Sequence, residues 1–372
     1  MIKKKIVFVT GTRADFGKIE PLAKTAKKEG NQINFFVTGM HMLSMYGLTK
    51  IEVHKKFKKN ITEFKNQKIG DPLQDILTKT IIAFDKYLDK EKPDLVIVHG
   101  DRVETLACSI ACSLKYVRCA HIEGGELSGT IDEVFRHAVT KFSYSHFVSN
   151  EIAVQRLIRL GEDPKRIYKI GSPELDSHAS ISSLPLSRVK ERYEIPFKNY
   201  GICMFHPVTS EIDTIYKQAN SLFTTLEKTK KNFVIILPNN DPGTEKIVEI
   251  ISNLNITTFR IIPSMQFEYF SVLLKNSSCF IGNSSACVRE APFLGIPSLN
   301  IGSRQVNRAF SKSIKNCSAY DKNKIKNFIR TEWNKKYKKS NEFGIGKSAD
   351  VFSKILKKKS FWNHDLQKIF WE

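Results

Sequence analysis

The chain has 372 residues, of which 41% are hydrophobic and 10% aromatic, so it can form folded domains and is too long for one comfortable hydrophobic core. Lysine and arginine outnumber the acidic residues by 59 to 38, which gives a formal net charge of +21 at pH 7. The lysines are spread thinly without interleaved aromatic residues, so the charge favours a solvated basic surface over a nucleic-acid-binding face.

The sequence shows no pattern typical of membrane insertion or secretion. Lys3-Lys4-Lys5 precede an apolar strand of about five residues, far shorter than a secretory core, and no run of about 18 apolar residues occurs. The seven cysteines lack metal-ligand spacing, so we expect reduced, mostly buried thiols. We therefore expect a cytoplasmic protein without a stable membrane anchor.

The first predicted strand, residues 6–10, runs into Gly11-Thr12-Arg13-Ala14-Asp15-Phe16-Gly17, and a helix is predicted from about residue 18 to residue 28. A strand–glycine–helix junction can bind an anion through free backbone N–H groups. The glycine spacing matches neither a dinucleotide fingerprint nor a Walker A loop, which disfavours NAD and P-loop chemistry. Arg13 suits a phosphate, although an ordinary exposed loop arginine is about equally consistent with the pattern.

The densest group of chemically active side chains lies between His99 and His137. Residues 95–98 form a predicted strand that ends in His99-Gly100-Asp101-Arg102, residues 103–114 a helix, and residues 118–122 a second strand that ends in Glu123. Such a βαβ unit makes the two strands parallel, and ligands bind at the carboxyl edge of parallel sheets. Neighbouring strands lie about 4.8 Å apart, so the carboxylates of Asp101 and Glu123 could lie close together.

A third acid follows on the next predicted helix. Thr130-x-x-Glu133 has the pattern of a capping box and places Asp132 in the first turn of a helix that reaches about residue 144. Each acid alone could be structural, as a helix cap, an ion-pair partner or a charge that favours a helix start. A purely structural explanation is less convincing for all three acids together. Crowded carboxylates push their pKa values apart, and this supplies an acid and a base near neutral pH. Three further side chains share this edge: His99, His121 and Arg102.

Strands and helices alternate throughout, which predicts a doubly wound, largely parallel sheet in each half of the chain. We expect an N-terminal Rossmann-like domain at residues 1–180, a second at 200–345, and a C-terminal helical segment at 346–372, rich in aromatic residues, that docks back on the domains. Two such α/β domains that face a central cleft describe the glycosyltransferase-B architecture.

In the second half, Gly282-Asn283-Ser284-Ser285 lies at a predicted strand–helix junction. Its hydroxyls and free N–H groups suit a diphosphate, although it could be a plain helix cap. Glu290, predicted about a turn and a half inside the next helix, could bind ribose hydroxyls or pair with Arg289 or Arg304.

These motifs, in order, resemble those of the hydrolysing UDP-N-acetylglucosamine 2-epimerases of sialic acid and related nonulosonic acid synthesis. The resemblance covers roughly residues 5–310 and is carried by the following segments: Gly11-Thr12-Arg13-Ala14-Asp15, Val37-Thr38-Gly39-Met40-His41, His99-Gly100-Asp101-Arg102, His121-Ile122-Glu123-Gly124-Gly125-Glu126-x-Ser128-Gly129-Thr130-Ile131-Asp132, Arg136-His137, His206-Pro207-Val208-Thr209, Pro238-Asn239-Asn240-Asp241, Ile281-Gly282-Asn283-Ser284-Ser285, Arg289-Glu290 and Gly302-Ser303-Arg304-Gln305.

The resemblance implies the reaction and the role of each residue. A carboxylate removes the C2 proton of the sugar while UDP leaves anti from C1, and water then adds to the 2-acetamidoglucal to release N-acetylmannosamine. This chemistry requires no metal and no other cofactor. The implied acid–base set is Asp101, Glu123 and Asp132, with His41 and His121 as sugar-side polar groups. The implied diphosphate and nucleotide ligands are Arg13, Arg102, Ser284, Ser285, Arg304, His206, Asn239 and Glu290.

The resemblance favours UDP-N-acetylglucosamine as the substrate and leaves one close alternative. Relatives that act on UDP- or GDP-linked 2,4-diacetamido-2,4,6-trideoxyhexoses in legionaminic acid synthesis share nearly all of these motifs. Two other classes compete: a retaining glycosyltransferase of the same fold and a non-catalytic nucleotide-sugar sensor. Family members commonly form homodimers or homotetramers, so the resemblance also implies a homo-oligomer.

Overall fold

The computed structural model describes residues 3–127, 132–180, 184–238 and 241–372. The chain divides into two compact units. Among the described residues, unit 1 contains 3–127, 132–177 and 344–372, and unit 2 contains 178–180, 184–238 and 241–343. The C-terminal segment therefore belongs to the same unit as the N-terminal sheet.

In the described part of unit 1, seven strands form one parallel sheet in the order β3-β2-β1-β4-β5-β6-β7. The strands are β1 Lys5–Thr10, β2 Gln32–Val37, β3 Ile61–Glu63, β4 Leu95–His99, β5 Cys119–Ile122, β6 Ser145–Val148 and β7 Ile167–Lys169. The helices are α1 Arg13–Lys28, α2 Lys50–Phe57, α3 Leu73–Glu91, α4 Val103–Leu114, α5 Asp132–Phe142, α6 Glu151–Arg159, α14 Ser348–Leu356 and α15 Lys359–Trp362, and α7, Glu174–Ser180, crosses the boundary into unit 2.

Both faces of this sheet are covered, which is why its strands read as continuous apolar runs. Along β1, Ile6 and Phe8 pack on one side with residues of α1 and α14, and Val7 and Val9 pack on the other with residues of α3 and α4. Phe352 of α14 is fully buried on the α1 side. The C-terminal segment thus completes one face of the unit 1 core.

Unit 2 repeats this arrangement with a parallel sheet of six strands among its described residues, in the order β10-β9-β8-β11-β12-β13. Its strands are β8 Gly201–Met204, β9 Phe233–Ile236, β10 Phe259–Ile262, β11 Phe280–Gly282, β12 Ser298–Ile301 and β13 Ile314–Cys317, and its helices are α8 Leu186–Arg192, α9 Ile215–Lys228, α10 Thr244–Ser252, α11 Phe267–Lys275, α12 Glu290–Phe293 and α13 Lys322–Glu332. Short 3-10 turns lie in both units, at Gly39–Met42, Ser44–Tyr46, Pro164–Arg166, Thr209–Glu211 and Ser285–Cys287. The predicted α/β class with two parallel sheets is confirmed.

Several boundaries differ from the prediction. Helix α1 begins at Arg13 rather than near residue 18, because the Thr12 side chain accepts a hydrogen bond from the backbone N–H of Asp15 (3.1 Å) and caps the helix there. Helix α12 begins at Glu290, so this residue does not lie a turn and a half inside a helix. The C-terminal segment is helical only as far as Trp362. None of the helices in the described ranges is long and apolar enough to cross a membrane.

Gly282 provides a test of the unit 2 sheet. A Cβ at this position would lie 1.9 Å from the carbonyl oxygen of Met204 on the neighbouring strand, and its φ of +140° is one that side chains rarely adopt. We expect Gly282→Ala to lower the free energy of unfolding of unit 2 by more than about 2 kcal/mol. The measurement is urea denaturation followed by tryptophan fluorescence in a chain with Trp362 and Trp371 changed to Phe, which leaves Trp333 as the reporter in unit 2.

Gly17→Ala is the matched control for this substitution. Gly17 lies inside α1, and a Cβ there would meet nothing within 4 Å, so alanine should leave stability unchanged or raise it by about 0.5–1 kcal/mol. Equal effects of the two substitutions would contradict the tight strand contact.

Candidate active site

The ends of β4 and β5 bring two of the predicted acids to adjoining positions. His99 pairs with Ile122 in the parallel register, and the backbone N–H of Gly100 donates to the Ile122 carbonyl (3.1 Å). Asp101 and Glu123 therefore follow neighbouring strand ends, as the βαβ pattern predicts. Glu123 has a φ of +62°, a left-handed conformation that is uncommon for glutamate and often marks functional sites.

The Glu123 side chain is buried, with 4% of its surface exposed. Its Oε2 accepts hydrogen bonds from the Lys18 ammonium (2.9 Å) and lies 3.2 Å from Nε2 of His99, and its Oε1 accepts from the Ser172 hydroxyl (2.5 Å). Lys18 also pairs with the buried Glu174 (3.1 Å). A buried carboxylate needs such partners, because an isolated buried charge is strongly destabilising.

His99 lies between two carboxylates. Its Nδ1 is 3.3 Å from Oδ1 of Asp15, and its Nε2 faces Glu123. Burial alone would lower the pKa of His99, but the hydrogen bonds to Asp15 and Glu123 outweigh it and raise that pKa above its ordinary value. Burial alone would raise the pKa of Asp15, but the hydrogen bond and the charge of His99 outweigh the effect of burial and hold that pKa below its ordinary value. The geometry suits a histidinium that donates to both acids.

Helix α5 joins Asp101 to this cluster through Arg136. The buried guanidinium of Arg136 donates through Nη2 to Oδ2 of Asp101 and through Nη1 to the backbone carbonyl of Glu123 (2.6 Å). The Asp101 side chain is 20% exposed, so it is more accessible than that of Glu123. Asp101 therefore combines an ion pair with access to a ligand.

Asp132 begins α5, and Arg102 follows Asp101. Burial lowers the pKa of Arg102, but four carboxylates outweigh it and raise that pKa above its ordinary value. These are the carboxylates of Glu104, Asp15, Asp132 and Asp101. Asp101 and Asp132 thus act on one guanidinium, whose Nε lies 3.4 Å from Oε2 of Glu104.

Both predicted sugar-side histidines are fully buried. Nε2 of His121 donates to the Gly100 carbonyl (2.8 Å) and its Nδ1 lies 3.1 Å from the Thr140 hydroxyl, while burial, aided by the charge of Arg136, lowers its pKa well below the usual range. His41 contacts the hydroxyls of Thr10 (2.9 Å) and Thr49 (2.7 Å), and burial lowers its pKa to about 4. Both rings are neutral groups that hold loops at the carboxyl edge.

Arg13 lies at the carboxyl end of β1, as expected for the junction. Its side chain is about one-third exposed, and its Nε lies 3.2 Å from Oε1 of Glu52. A phosphate that binds Arg13 would therefore compete with this ion pair.

In unit 2 the ends of β8, β11 and β12 meet through Asn283. Its side chain accepts from the His206 N–H (2.7 Å) and donates to the His206 carbonyl (2.8 Å), and its backbone carbonyl accepts from Gln305 (3.1 Å) and Arg304 (3.2 Å). Burial, aided by the charge of Arg304, lowers the pKa of His206 to about 3. The edge thus holds a neutral histidine beside a half-buried arginine.

The serines at this edge form a compact turn. The Ser284 hydroxyl accepts from the Ala286 N–H (3.4 Å) and caps the turn at Ser285–Cys287, and the Ser285 carbonyl accepts from the N–H groups of Val288 and Arg289 (3.0 Å each). Glu290 is buried at the start of α12. Asn239 lies outside the described residues.

Sequence reasoning assigned no role to several residues of the unit 1 cluster, namely Lys18, Asp15, Glu174, Ser172 and Arg136. Two of them left a signal: Asp15 and Arg136 stand in motifs that carry the family resemblance, and Arg136 also stands four residues after Asp132 on a helix and shares its side. The structure shows no group of histidine, cysteine and acidic side chains suited to a metal ion within its described ranges.

Two parallel α/β sheets, each with polar groups at its carboxyl edge, place the protein among two-domain α/β proteins of glycosyltransferase-B-like fold. The crystal structure of UDP-GlcNAc 2-epimerase from Neisseria meningitidis bound to UDP-GlcNAc is similar over 95% of this chain and 99% of that chain, with a TM-score of 0.81 and 21% identity.

Sequence comparison gives the family. The profile described as UDP-N-acetylglucosamine 2-epimerase matches residues 23–357. UDP-N-acetylglucosamine 2-epimerase from Neisseria meningitidis serogroup B is 41% identical over 371 residues, which cover 99% of this chain and 98% of that protein. UDP-N,N'-diacetylbacillosamine 2-epimerase (hydrolyzing) from Legionella pneumophila is 34% identical over 363 residues, 95% of this chain and 96% of that protein. The chain belongs to the UDP-N-acetylglucosamine 2-epimerase family, which confirms the resemblance seen in the motifs.

The raised pKa of His99 predicts a pH-dependent stability. A histidine whose pKa rises on folding stabilises the folded protein below roughly pH 6.5, and this contribution disappears as the pH rises through its folded pKa. We therefore expect the difference in unfolding free energy between wild type and His99→Gln to shrink as the pH rises above about 6.5. Urea denaturation at each pH measures it.

His54→Gln is the control for the His99 variant. His54 is 44% exposed and contacts Glu63 (2.7 Å) at the surface, where solvent screens the interaction. Its loss should leave the pH profile nearly unchanged. A difference in unfolding free energy between wild type and His99→Gln that stays constant as the pH rises would show that folding does not raise the pKa of His99.

Proposed function

We propose that the protein is a hydrolysing UDP-N-acetylglucosamine 2-epimerase, which converts UDP-N-acetylglucosamine and water into N-acetylmannosamine and UDP. The observation that carries the proposal is the pair of acids at adjoining strand ends, Asp101 and Glu123, which Arg136 joins. Membership of the family supports the epimerisation at C2. The hydrolytic outcome is supported by the name of the Legionella pneumophila relative.

The chemistry needs an anionic base beside the sugar. The base takes the proton from C2, the C–H electron pair forms the C1–C2 double bond, and the bond from C1 to the diphosphate oxygen breaks to release UDP. Water then adds across the double bond of the 2-acetamidoglucal. The hydroxyl goes to C1, and a proton is delivered to the face of C2 opposite the one that lost its proton. Since the C2 proton is weakly acidic, a positioned general base is essential.

The carboxylates divide by accessibility. Asp101, with 20% of its side chain exposed and its charge balanced by Arg136, is the acid we assign first to contact with the sugar. Glu123 is almost fully buried and contacts Lys18 and His99, so it holds these two side chains in place beside Asp101. Asp132 completes the set at the start of α5. His121 and His41 act by positioning loops, since neither ring has exposed surface.

Unit 2 is assigned to the nucleotide diphosphate. The turn at Ser284 and Ser285 and the half-buried Arg304 offer the N–H, hydroxyl and cationic groups that stabilise a departing diphosphate. His206, Asn239 and Glu290 are proposed to bind the nucleotide, and Arg13 and Arg102 in unit 1 are proposed to bind phosphate. No metal is assigned to the reaction.

A second substrate class is favoured by one specific observation. The 34% identical relative is named for UDP-N,N'-diacetylbacillosamine, a 2,4-diacetamido sugar. The same C2 chemistry would serve that substrate, because the C4 and C6 substituents do not take part in the elimination. The two substrates are distinguished by turnover on a panel of UDP- and GDP-linked sugars.

Incubation with UDP-N-acetylglucosamine alone in deuterated water tests the reaction. We expect free UDP and N-acetylmannosamine with deuterium at C2, because the proton removed is replaced from solvent. Proton NMR of the reaction mixture detects the free UDP and shows whether the C2 proton signal of the released sugar is missing. UDP-N-acetylmannosamine with UDP still attached would show a non-hydrolysing epimerase, turnover only with an added acceptor would show a glycosyltransferase, and tight UDP binding without turnover would show a sensor.

Asp101→Asn and Glu123→Gln test the acid–base assignment. Each removes a carboxylate and keeps its shape, so we expect turnover to fall by at least ~100-fold. The affinity for UDP, measured by calorimetry, should stay nearly unchanged, because most of the residues proposed to bind the diphosphate lie in unit 2. Glu151→Gln is the control, because Glu151 is 60% exposed on α6 and pairs with Lys169 at the surface. Loss of UDP binding with normal turnover per bound substrate would contradict the assignment.

A further inference from the structure

The last residues of the chain, 363–372, contain no helix but are fixed to unit 1 at several points. The Tyr144 hydroxyl donates to the His364 carbonyl (2.5 Å), and the backbone N–H of Trp371 donates to the Gly161 carbonyl (3.1 Å). The Phe370 ring lies so close to Gly161 that a Cβ there would be 2.6 Å from it. We call residues 363–372 the C-terminal strap.

Lys368 of the strap caps the C-terminal end of α5. Its ammonium donates to the backbone carbonyls of Thr140 (2.9 Å), Lys141 (3.1 Å) and Ser143 (2.9 Å). The last carbonyls of a helix have no partners within the helix and carry its negative dipole end. Two of these carbonyls belong to the last turn of α5 and the third to the residue that follows the helix, so one ammonium fixes this end of α5 in position.

A buried acid holds Lys368 in turn. Oε2 of Glu162, whose side chain is 1% exposed, lies 2.5 Å from Nζ of Lys368 and 2.8 Å from Nε2 of the fully buried His146, and its Oε1 lies 3.0 Å from Nζ of Lys141. Burial raises the pKa of Glu162, but His146 and Lys368 outweigh it and lower that pKa to about 2. The strap thus supplies a cation that a buried carboxylate requires.

The face of α5 that the strap fixes also serves the acid cluster. Thr140, whose carbonyl binds Lys368, contacts Nδ1 of His121 through its hydroxyl (3.1 Å), and His121 holds the Gly100 carbonyl next to Asp101. One turn earlier on the same helix, Arg136 holds Asp101 and the Glu123 carbonyl. Lys368 is therefore connected to the acids through two residues of α5: Thr140, which contacts His121, and Arg136, which binds Asp101.

We propose that Lys368 is a positioning residue that fixes helix α5, so that Arg136 and His121 hold Asp101 and the Glu123 backbone in their places at the sheet edge. The placement of α5 follows from contacts on this chain alone. Its consequence for turnover rests on the proposed function.

Lys368→Met in the 372-residue chain tests the proposal, because methionine keeps the apolar stem and loses the ammonium. We expect hydrogen–deuterium exchange in residues 132–142 to accelerate by at least ~10-fold. With the sugar nucleotide turned over by the wild type, kcat per folded molecule should fall by about 10-fold with KM within about twofold, since a misplaced catalytic group loses rate more than binding. Lys368→Arg keeps a cation and should retain most of kcat.

Lys354→Met is the matched control, because Lys354 lies on the exposed side of α14 in the same C-terminal segment. It should change neither exchange in residues 132–142 nor turnover. Unchanged exchange in Lys368→Met, or a loss of activity that only follows the loss of folded protein and is not rescued by arginine, would overturn the proposal. A wild type that releases no UDP from any sugar nucleotide, with exchange accelerated in Lys368→Met, would overturn the proposed function and leave the placement of α5 by Lys368 supported.

Discussion

The buried carboxylate of Glu123 is the constraint on which the arrangement of unit 1 depends. A charge with so little exposure is tolerated only when nearby groups replace the water it has lost, since an unpaired buried ion costs several kcal/mol. Its partners come from three separate elements: Lys18 from α1, His99 from the end of β4, and Ser172 from the segment after β7. Each partner that satisfies the charge also fixes its own element at the carboxyl edge.

The carboxyl edge of the unit 2 sheet is organised around a neutral group rather than a buried charge. Its central group is the neutral side chain of Asn283, whose amide pairs with both backbone groups of His206. The close strand contact at Gly282 brings β8 and β11 together directly before these residues. The Asn283 amide, the serine hydroxyls and the half-buried Arg304 around this turn suit an anion, because they offer N–H and O–H donors and a positive charge.

The sequence predicted best what depends on local pattern. The bounds of α4 and the pairing of β4 with β5 follow from an apolar run, a helical stretch and a second apolar run. The start of α1 was wrong because the Thr12 cap was read as part of a loop. Strand β13, Ile314–Cys317, was not predicted, since its two central residues are polar and exposed. Lys18 was not assigned because its partner, Glu123, is 105 residues away, and no spacing rule connects them.

The two histidines show that a polar residue type in the sequence predicts that the side chain lies at the sheet edge, but not what the side chain does there. His99 and His121 stand on neighbouring strands, yet His99 lies between two carboxylates whereas His121 donates to a backbone carbonyl beside the charge of Arg136. The first environment favours the charged ring and the second the neutral ring. Because an acid–base site is set by such pairings, its chemistry follows from the charges around each group. Five carboxylates of this cluster face a cationic partner, and two of them, Glu123 and Glu174, share Lys18. The acids are therefore gathered there without a large uncompensated negative charge that would repel an anion.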